Sequence, residues 1–142
     1  MRTKAGLPVY RACRPLRLLV PVLVLSAPAL AHHGWGGYTE DVEMTLVISE
    51  LRFGNPHDRL VATDPDGVEW NLLLAPPARN RRFGFGPDSV SVGMEVELLG
   101  RKHPRRAEVK VHCLFAEGET LYTYRYDDGR SSLKREGSDE RC

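Results

Sequence analysis

The residues best suited to chemistry in this 142-residue chain are three of its five histidines. His32 and His33 follow the sequence Ala29-Leu30-Ala31, a small-residue pattern typical of a signal-peptide cleavage site. Cleavage after Ala31 would make His32 the first residue, and its free α-amine and imidazole can chelate one metal ion, with His33 and His57 as further nitrogen ligands. Copper(II) suits such a nitrogen-rich, open ligand set best. The alternative is that the terminal pair is solvated and that His57 hydrogen-bonds within its own turn.

A second candidate is a set of basic side chains in two predicted connections, which could bind an anion at one end of a barrel. The alternative is that these side chains are solvated and keep strand edges from pairing. Three tyrosines at every second position, Tyr122, Tyr124 and Tyr126, could stack on a ligand or cover a barrel equally well. The candidate ligand-binding arginines are Arg79, Arg82, Arg105 and Arg106.

The sequence has no nucleophile elbow, phosphate-binding loop or paired-carboxylate motif. We therefore predict a protein that is not an enzyme. A copper enzyme that uses the terminal histidine is a distant third interpretation.

The first 31 residues have the three parts of a secretory signal peptide. Basic residues come first, an apolar run of about ten residues follows from Leu16 to Leu25, and small residues end the segment. The apolar run is shorter than the roughly 20 residues of a membrane-spanning helix, so no stable membrane insertion is expected after cleavage. The segment holds five of the 20 basic residues and none of the 19 acidic ones, which leaves a formal charge of −4. A mildly acidic chain is a poor candidate for nucleic-acid binding.

Two of the three cysteines remain after cleavage, Cys113 and Cys142. An even number of cysteines in an oxidising compartment makes them candidates for a disulfide. Alternatively, Cys113 is a small buried hydrophobe on a predicted strand and Cys142 is the free end of a polar tail.

Residues 42–126 show the period-2 alternation of half-buried strands. The first strand begins at Val42, and its apolar phase shifts by one residue between Ile48 and Leu51, which predicts a β-bulge. Turn-forming residues at 54–57 and 64–67 precede the second and third strands, and Gly100 is expected to end the fourth. His112 is predicted to be exposed on the fifth strand. The predicted inward positions on strands three to five are Val68, Trp70, Leu72, Leu74, Met94, Val96, Leu98, Ala107, Val109, Val111, Cys113 and Phe115.

A short helical turn is predicted between strands three and four, starting at Pro77, and residues 120–126 add an edge strand. These elements favour an all-β fold, a small OB-like Greek-key barrel of five to six strands. The predicted organisation is a signal peptide at 1–31, a flexible His/Gly arm at 32–41, the barrel at 42–126 and a polar, disordered tail at 127–142.

Several short motifs in residues 29–115 occur in a fixed order. They are His32-His33 followed by Gly34 and Trp35, Asn55-Pro56-His57 after the first strand, Asp66-Gly67 leading to Trp70, and Val90-x-x-Gly93-x-x-Val96. In these motifs the chain resembles an uncharacterised family of secreted bacterial proteins, known as a domain of unknown function. The resemblance implies a periplasmic OB-like barrel and no particular activity. The chain differs in having glycines where the family usually has Ser-Phe after the histidine pair, and in its longer tail.

Together these features predict a periplasmic or secreted, non-enzymatic domain that binds copper through His32, His33 and His57. The alternative is a metal-free module that binds a small ligand or a partner protein. No nucleic-acid partner is expected.

Overall fold

Six β-strands form one sheet in the computed structural model, which describes residues 36–137 and 140–142. The strands are β1 Glu40–Arg52, β2 Arg59–Thr63, β3 Glu69–Leu73, β4 Glu95–Lys102, β5 Glu108–Ala116 and β6 Glu119–Thr123. Two short helices, α1 Pro77–Arg82 and α2 Ser132–Glu136, and a 3-10 turn at Pro87–Ser89 complete the described elements.

The sheet closes into a barrel. Its strands follow the order β3-β2-β1-β4-β5-β6 with antiparallel neighbours, and a parallel pairing of β3 with β5 joins the two ends. Five strands therefore form a closed barrel, and β6 is added to β5. Together with a helical turn between β3 and β4, this arrangement confirms the predicted small OB-like barrel.

A long, bent first strand makes this closure possible. β1 pairs with β4 along its first part and with β2 along its second, and its register shifts between Ile48 and Glu50. The predicted bulge is therefore confirmed. The prediction that Gly100 ends the fourth strand is wrong, because β4 continues to Lys102. A Cβ atom at Gly100 would lie 2.6 Å from the backbone oxygen of Lys110 on β5, so glycine is needed where β4 and β5 approach each other closely.

Alternate side chains of the strands fill the barrel. Val96 and Leu98 on β4 and Leu72 on β3 are fully buried as predicted. Trp70 is only partly buried against this core, and Val68 is 44% exposed, because Val68 precedes β3 and the Trp70 indole N–H donates to Asp64 in the preceding turn at 2.9 Å. Tyr122 and Tyr124 belong to the core, so packing accounts for two of the three tyrosines in the stripe.

Helix α1 closes the barrel beside the connection from β1 to β2. It begins at Pro77, as predicted. Its buried Asn80 donates a hydrogen bond from Nδ2 to Oδ2 of the buried Asp58 at 2.7 Å, and Oδ1 of Asp58 accepts one from the backbone N–H of Gly54 at 2.9 Å. This buried carboxylate fixes the turn that carries His57.

The chain after β6 is folded where a disordered tail is predicted. Ser131 and Ser132 are fully buried, Arg125 forms a backbone bridge with Ser131, and α2 follows. Cys142 is joined to Cys113 by a disulfide, with a Cα–Cα distance of 6.3 Å. Polar composition suggested disorder here, but the covalent link and local hydrogen bonds supply the order that a hydrophobic face would otherwise provide.

The predicted signal peptide and His32 and His33 lie outside the described residues. Within the part of the chain that is described, no helix is both long and apolar enough to cross a membrane.

Candidate functional site

The main cleft of the described residues lies on the outer face of β1, β4 and β5, under α2. It has a volume of about 390 Å³. We call it the bulge cleft, because the irregular pairing of β4 with β5 forms its floor. Its lining residues are Asp41, Val42 and Glu43 of β1, Leu99, Gly100 and Arg101 of β4, His112 of β5, and Leu133, Glu136 and Gly137 of the C-terminal segment.

His112 lies in this cleft at a β-bulge. Leu99 pairs with Cys113 and Gly100 with Val111, so His112 is the additional residue on β5. Its predicted exposure is wrong: the residue is only 2% exposed. His112 points out of the barrel, as the strand phase predicts, and it is buried because α2 covers its imidazole from outside. The bulge instead shifts the inward phase of the strand: Val111 and Leu114 belong to the core cluster, whereas Cys113 and Phe115, which were predicted to face inward, do not.

The imidazole of His112 is held by two groups of α2. Its Nδ1 lies 2.5 Å from Oγ of Ser132, and its Nε2 lies 3.9 Å from Oε2 of Glu136. Burial lowers the pKa of His112 to about 4, and the positive charge of Arg101 acts in the same direction. His112 is therefore neutral at pH 7, and its approach to Glu136 is not an ion pair.

Arg101 connects β1 to α2 across the cleft. Its Nε donates to Oδ1 of Asp41 at 2.9 Å, and its Nη1 lies 3.2 Å from Oε2 of Glu136. Together with Glu43, the cleft has three carboxylates and one guanidinium among its lining residues. Its formal charge at pH 7 is therefore negative.

Serine, histidine and glutamate side chains in contact with one another occur in some hydrolases, where the serine attacks the substrate. Ser132 is fully buried, so its hydroxyl cannot reach a substrate carbonyl in this arrangement. The Ser132 hydroxyl instead orients the His112 ring. What this cleft can do is bind a small molecule between apolar and polar walls.

The structure places His57, the one described residue of the predicted metal set, in the turn before β2. Its Nδ1 lies 3.0 Å from the backbone oxygen of Leu74. Because a carbonyl oxygen only accepts, Nδ1 carries the proton and Nε2 keeps its lone pair. Burial lowers the pKa of His57, and the charges of Lys110 and Arg59 add to this effect. Among the described residues there is no cluster of three or more His, Cys, Asp or Glu side chains suited to a metal ion.

The end of the predicted arm is anchored close to Lys110. Tyr38 is 8% exposed, its hydroxyl donates to Oε1 of Glu108, and the Lys110 ammonium lies 5.5 Å from its ring centre. The ring also packs edge-on against His103. Burial and the hydrogen bond to Glu108 raise the pKa of Tyr38. The part of the predicted flexible arm from Tyr38 onward is therefore fixed on the barrel.

The four candidate arginines make separate local contacts. Arg79 on α1 donates to the Tyr124 hydroxyl at 2.8 Å and pairs with Asp127 at 2.7 Å. Arg106 pairs with Glu108 at 3.0 Å. Arg82 on α1 and Arg105 in the connection from β4 to β5 are exposed. Arg79 and Arg106 therefore have structural partners in the barrel.

Sequence reasoning missed Arg101, His112 and Glu136 as parts of one cleft. Glu136 lies 24 positions after His112, in a segment whose polar composition predicts disorder. The signal that was available is the second cysteine, since a disulfide from Cys142 to β5 brings that segment onto the barrel.

No protein-family model matches this chain, and no curated protein matches it. The resemblance to a secreted bacterial family therefore stays a prediction from the sequence motifs.

Proposed function

We propose that this protein is a secreted, non-enzymatic module that binds a small organic molecule in the bulge cleft. The observation that carries this proposal is the cleft itself. Its volume of about 390 Å³ falls within the roughly 300–1,000 Å³ of small-molecule sites. Val42, Leu99 and Leu133 supply apolar contacts, while Arg101 and Glu136 supply fixed polar groups that can orient a ligand.

The charge of the cleft favours one class of ligand. Asp41, Glu43 and Glu136 outnumber the two guanidinium groups that pair with them, because Arg101 contacts Asp41 and Glu136, and Arg141 pairs with Glu43. An anionic ligand would have to displace one of these carboxylates and would meet the others. The preferred ligand is therefore a small molecule with an apolar part and an amine, and a neutral analogue ranks second.

Three probes with one carbon skeleton test this preference: 2-phenylethylamine, 2-phenylethanol and phenylacetate. Each is titrated into ¹⁵N-labelled protein, and the amide shifts of Val42, Leu99 and Leu133 are followed by NMR. We expect the amine to produce the largest saturable shifts and phenylacetate the smallest. Leu133→Trp should abolish these shifts by filling the cleft, whereas Val92→Trp, at an exposed position outside the cleft, should leave them unchanged. Absence of saturable shifts at these amides for all three probes would overturn the proposal.

A second function, copper binding by His32, His33 and His57, is supported by the environment of His57. Ligating histidines usually donate their other ring N–H to a carbonyl or carboxylate, which orients the metal-binding nitrogen. The contact from Nδ1 of His57 to the oxygen of Leu74 supplies this second contact and leaves Nε2 as the ligand atom.

The anchored Tyr38 also favours this second function. His32 precedes Tyr38 by six residues, and six extended residues span at most about 20–22 Å. Tyr38 lies beside Lys110. The tether therefore starts on the part of the barrel that carries Lys110, whose charge acts on His57.

Copper binding is tested by titrating Cu(II) into protein that begins at His32, into a form with one additional residue before His32, and into His57→Ala. We expect weaker binding by both altered forms, and unchanged binding by His112→Gln, which removes a buried imidazole elsewhere. Equal affinity of the extended form would exclude the terminal amine as a ligand. Equal affinity of His57→Ala would exclude His57.

A further inference from the structure

One wall of the bulge cleft is formed by the C-terminal segment, of which residues 131–137 and 140–142 are described. Leu133, Glu136 and Gly137 line the cleft from this side. Farther along the same segment, Arg141 pairs with Glu43 of the opposite wall at 3.2 Å, and the chain ends at Cys142. The segment therefore contacts both sides of the cleft.

This wall has little stability of its own. Helix α2 has five residues, far below the roughly 12–15 at which an isolated helix becomes marginally stable in water. Its position depends on the contacts of Ser132 with His112 and of Glu136 with Arg101, and on attachments at its two ends. Before the helix, Ser131 is buried and bridges to Arg125. After it, the attachment is the disulfide from Cys142 to Cys113.

The disulfide is directly connected to the floor of the cleft. Cys113 follows His112 on β5, and His112 contacts Ser132 at the start of α2. The other contacts of the chain end are noncovalent, and they include a hydrogen bond from Thr120 Oγ1 to the backbone oxygen of Arg141 at 3.0 Å. Arg141 lies above the Phe115 ring at 5.2 Å and its ion pairs are partly solvated, so each is expected to contribute little.

We infer that the Cys113–Cys142 disulfide is a redox latch that holds this wall in place and keeps the bulge cleft assembled. The inference rests on the proposed function, because the cleft is taken as the ligand site. The agent that releases the latch is a dithiol, either a small molecule or a dithiol oxidoreductase. In the oxidised protein the wall is in place and the cleft is formed, and in the reduced protein the wall moves off the barrel and the cleft opens out.

The exchange reaction begins at Cys142. This residue is partly exposed, whereas Cys113 is fully buried, so a thiolate of the dithiol attacks the Cys142 sulfur. The S–S bond breaks and Cys113 leaves as a thiolate, which takes up a proton. The second thiol of the reagent then attacks the mixed disulfide and releases Cys142 as a thiol. The protein disulfide is reduced to two thiols, and the dithiol is oxidised to its own disulfide.

Opening should expose His112, and diethyl pyrocarbonate measures this because it acylates neutral, accessible imidazoles. Oxidised protein, dithiothreitol-reduced protein and Cys142→Ser are each treated with the reagent after removal of reductant, and acylated peptides are quantified by mass spectrometry. We expect at least tenfold faster acylation of His112 in the reduced protein and in Cys142→Ser. His57, which is partly exposed, is the internal control and should react equally in all three.

A matched variant separates the disulfide from the other contacts of the chain end. Arg141→Ala removes the ion pairs and the contact with Phe115 but retains the disulfide, so His112 should stay protected. Hydrogen exchange provides the second measurement. Peptides covering 131–137 should exchange faster after reduction, while those covering β2 and β3 should stay protected, which shows that the barrel remains folded.

Equal acylation of His112 in oxidised and reduced protein would overturn the latch, as would an Arg141→Ala variant that opens as far as Cys142→Ser. Loss of protection throughout β2 and β3 on reduction would also overturn it, because the disulfide would then stabilise the whole barrel. These measurements contain no ligand. If His112 is acylated equally in both redox states while 2-phenylethylamine still binds, only the latch is wrong. If the acylation rates differ but none of the three probes binds, only the proposed ligand site is wrong.

Discussion

The buried imidazole of His112 should make the stability of the protein depend on pH between 7 and 5. The pKa of His112 is lowered from 6.5 to about 4 in the folded state, first by burial and then by Arg101. The groups that face it are Ser132 and Glu136 from α2, Arg101 from β4 and Asp41 from β1. In the unfolded chain the same imidazole titrates near 6.5.

Whether acid stabilises or destabilises the protein depends on how many protons the folded and unfolded states each bind. Between pH 6.5 and 4 the unfolded chain binds a proton at this histidine and the folded protein does not. Acidification therefore favours the unfolded state, and stability rises with pH across this window. With the two pKa values above, the free energy of unfolding should fall by about 2 kcal/mol from pH 7 to pH 5, and by about 3 kcal/mol over the full window.

The assay is urea unfolding of the wild-type protein and of His112→Gln at pH 7, 6 and 5, with the disulfide intact. Glutamine can hydrogen-bond to Ser132 but does not titrate in this range. His57, whose pKa is also lowered, contributes equally to both proteins and cancels in the difference. The range stops at pH 5 because carboxylates titrate below it. Between pH 7 and pH 5 the free energy of unfolding of the wild type should fall by about 2 kcal/mol more than that of the variant. An equal fall in the two proteins would refute the burial of a neutral imidazole under α2.

Three further predictions concern stability, each measured by urea unfolding at pH 7. Gly100→Ala should destabilise the protein by at least about 1–3 kcal/mol, since its Cβ would lie 2.6 Å from a backbone oxygen of β5. Gly86→Ala, at a position with open space, should cost less than about 1 kcal/mol. Equal losses of stability in the Gly100 and Gly86 variants would contradict the close approach of β4 to β5. Tyr122→Phe should cost about 1–3 kcal/mol, because its hydroxyl accepts a buried backbone N–H at 3.0 Å, whereas Tyr126→Phe should change stability by less than about 0.5 kcal/mol. Cys142→Ser should cost roughly 3–4 kcal/mol, the chain-entropy value for a disulfide that spans 29 positions, and an unchanged urea midpoint would show that the bridge does not constrain the unfolded chain.

The sequence alone was sufficient for the barrel. Period-2 alternation located β1 to β5, a one-residue phase shift located the β1 bulge, and Pro77 located the start of α1. These signals are local, because each strand needs one apolar face and each turn needs particular residues. For the same reason Val96 and Leu98 could be placed in the core before any contact was known.

The bulge cleft could not be predicted from the sequence, because tertiary contacts bring its residues together. The second bulge, at His112, has no counterpart in the apolar pattern, since Val111, Cys113 and Phe115 continue the alternation past it. Only the pairing of Leu99 with Cys113 and of Gly100 with Val111 leaves His112 as the additional residue, and only the docking of α2 buries its outward-facing side chain.

The C-terminal segment shows the same division between local and distant information. Its composition is polar, and local sequence predicts disorder because it offers no apolar face to bury. A covalent bond to Cys113 and the contacts of Arg101 with Glu136 and Asp41 hold it on the barrel. Cys113 and Cys142 lie 29 positions apart, and Arg101 and Asp41 lie 60 positions apart. Such contacts depend on how the barrel closes, and they are decided only when all of its strands are in place.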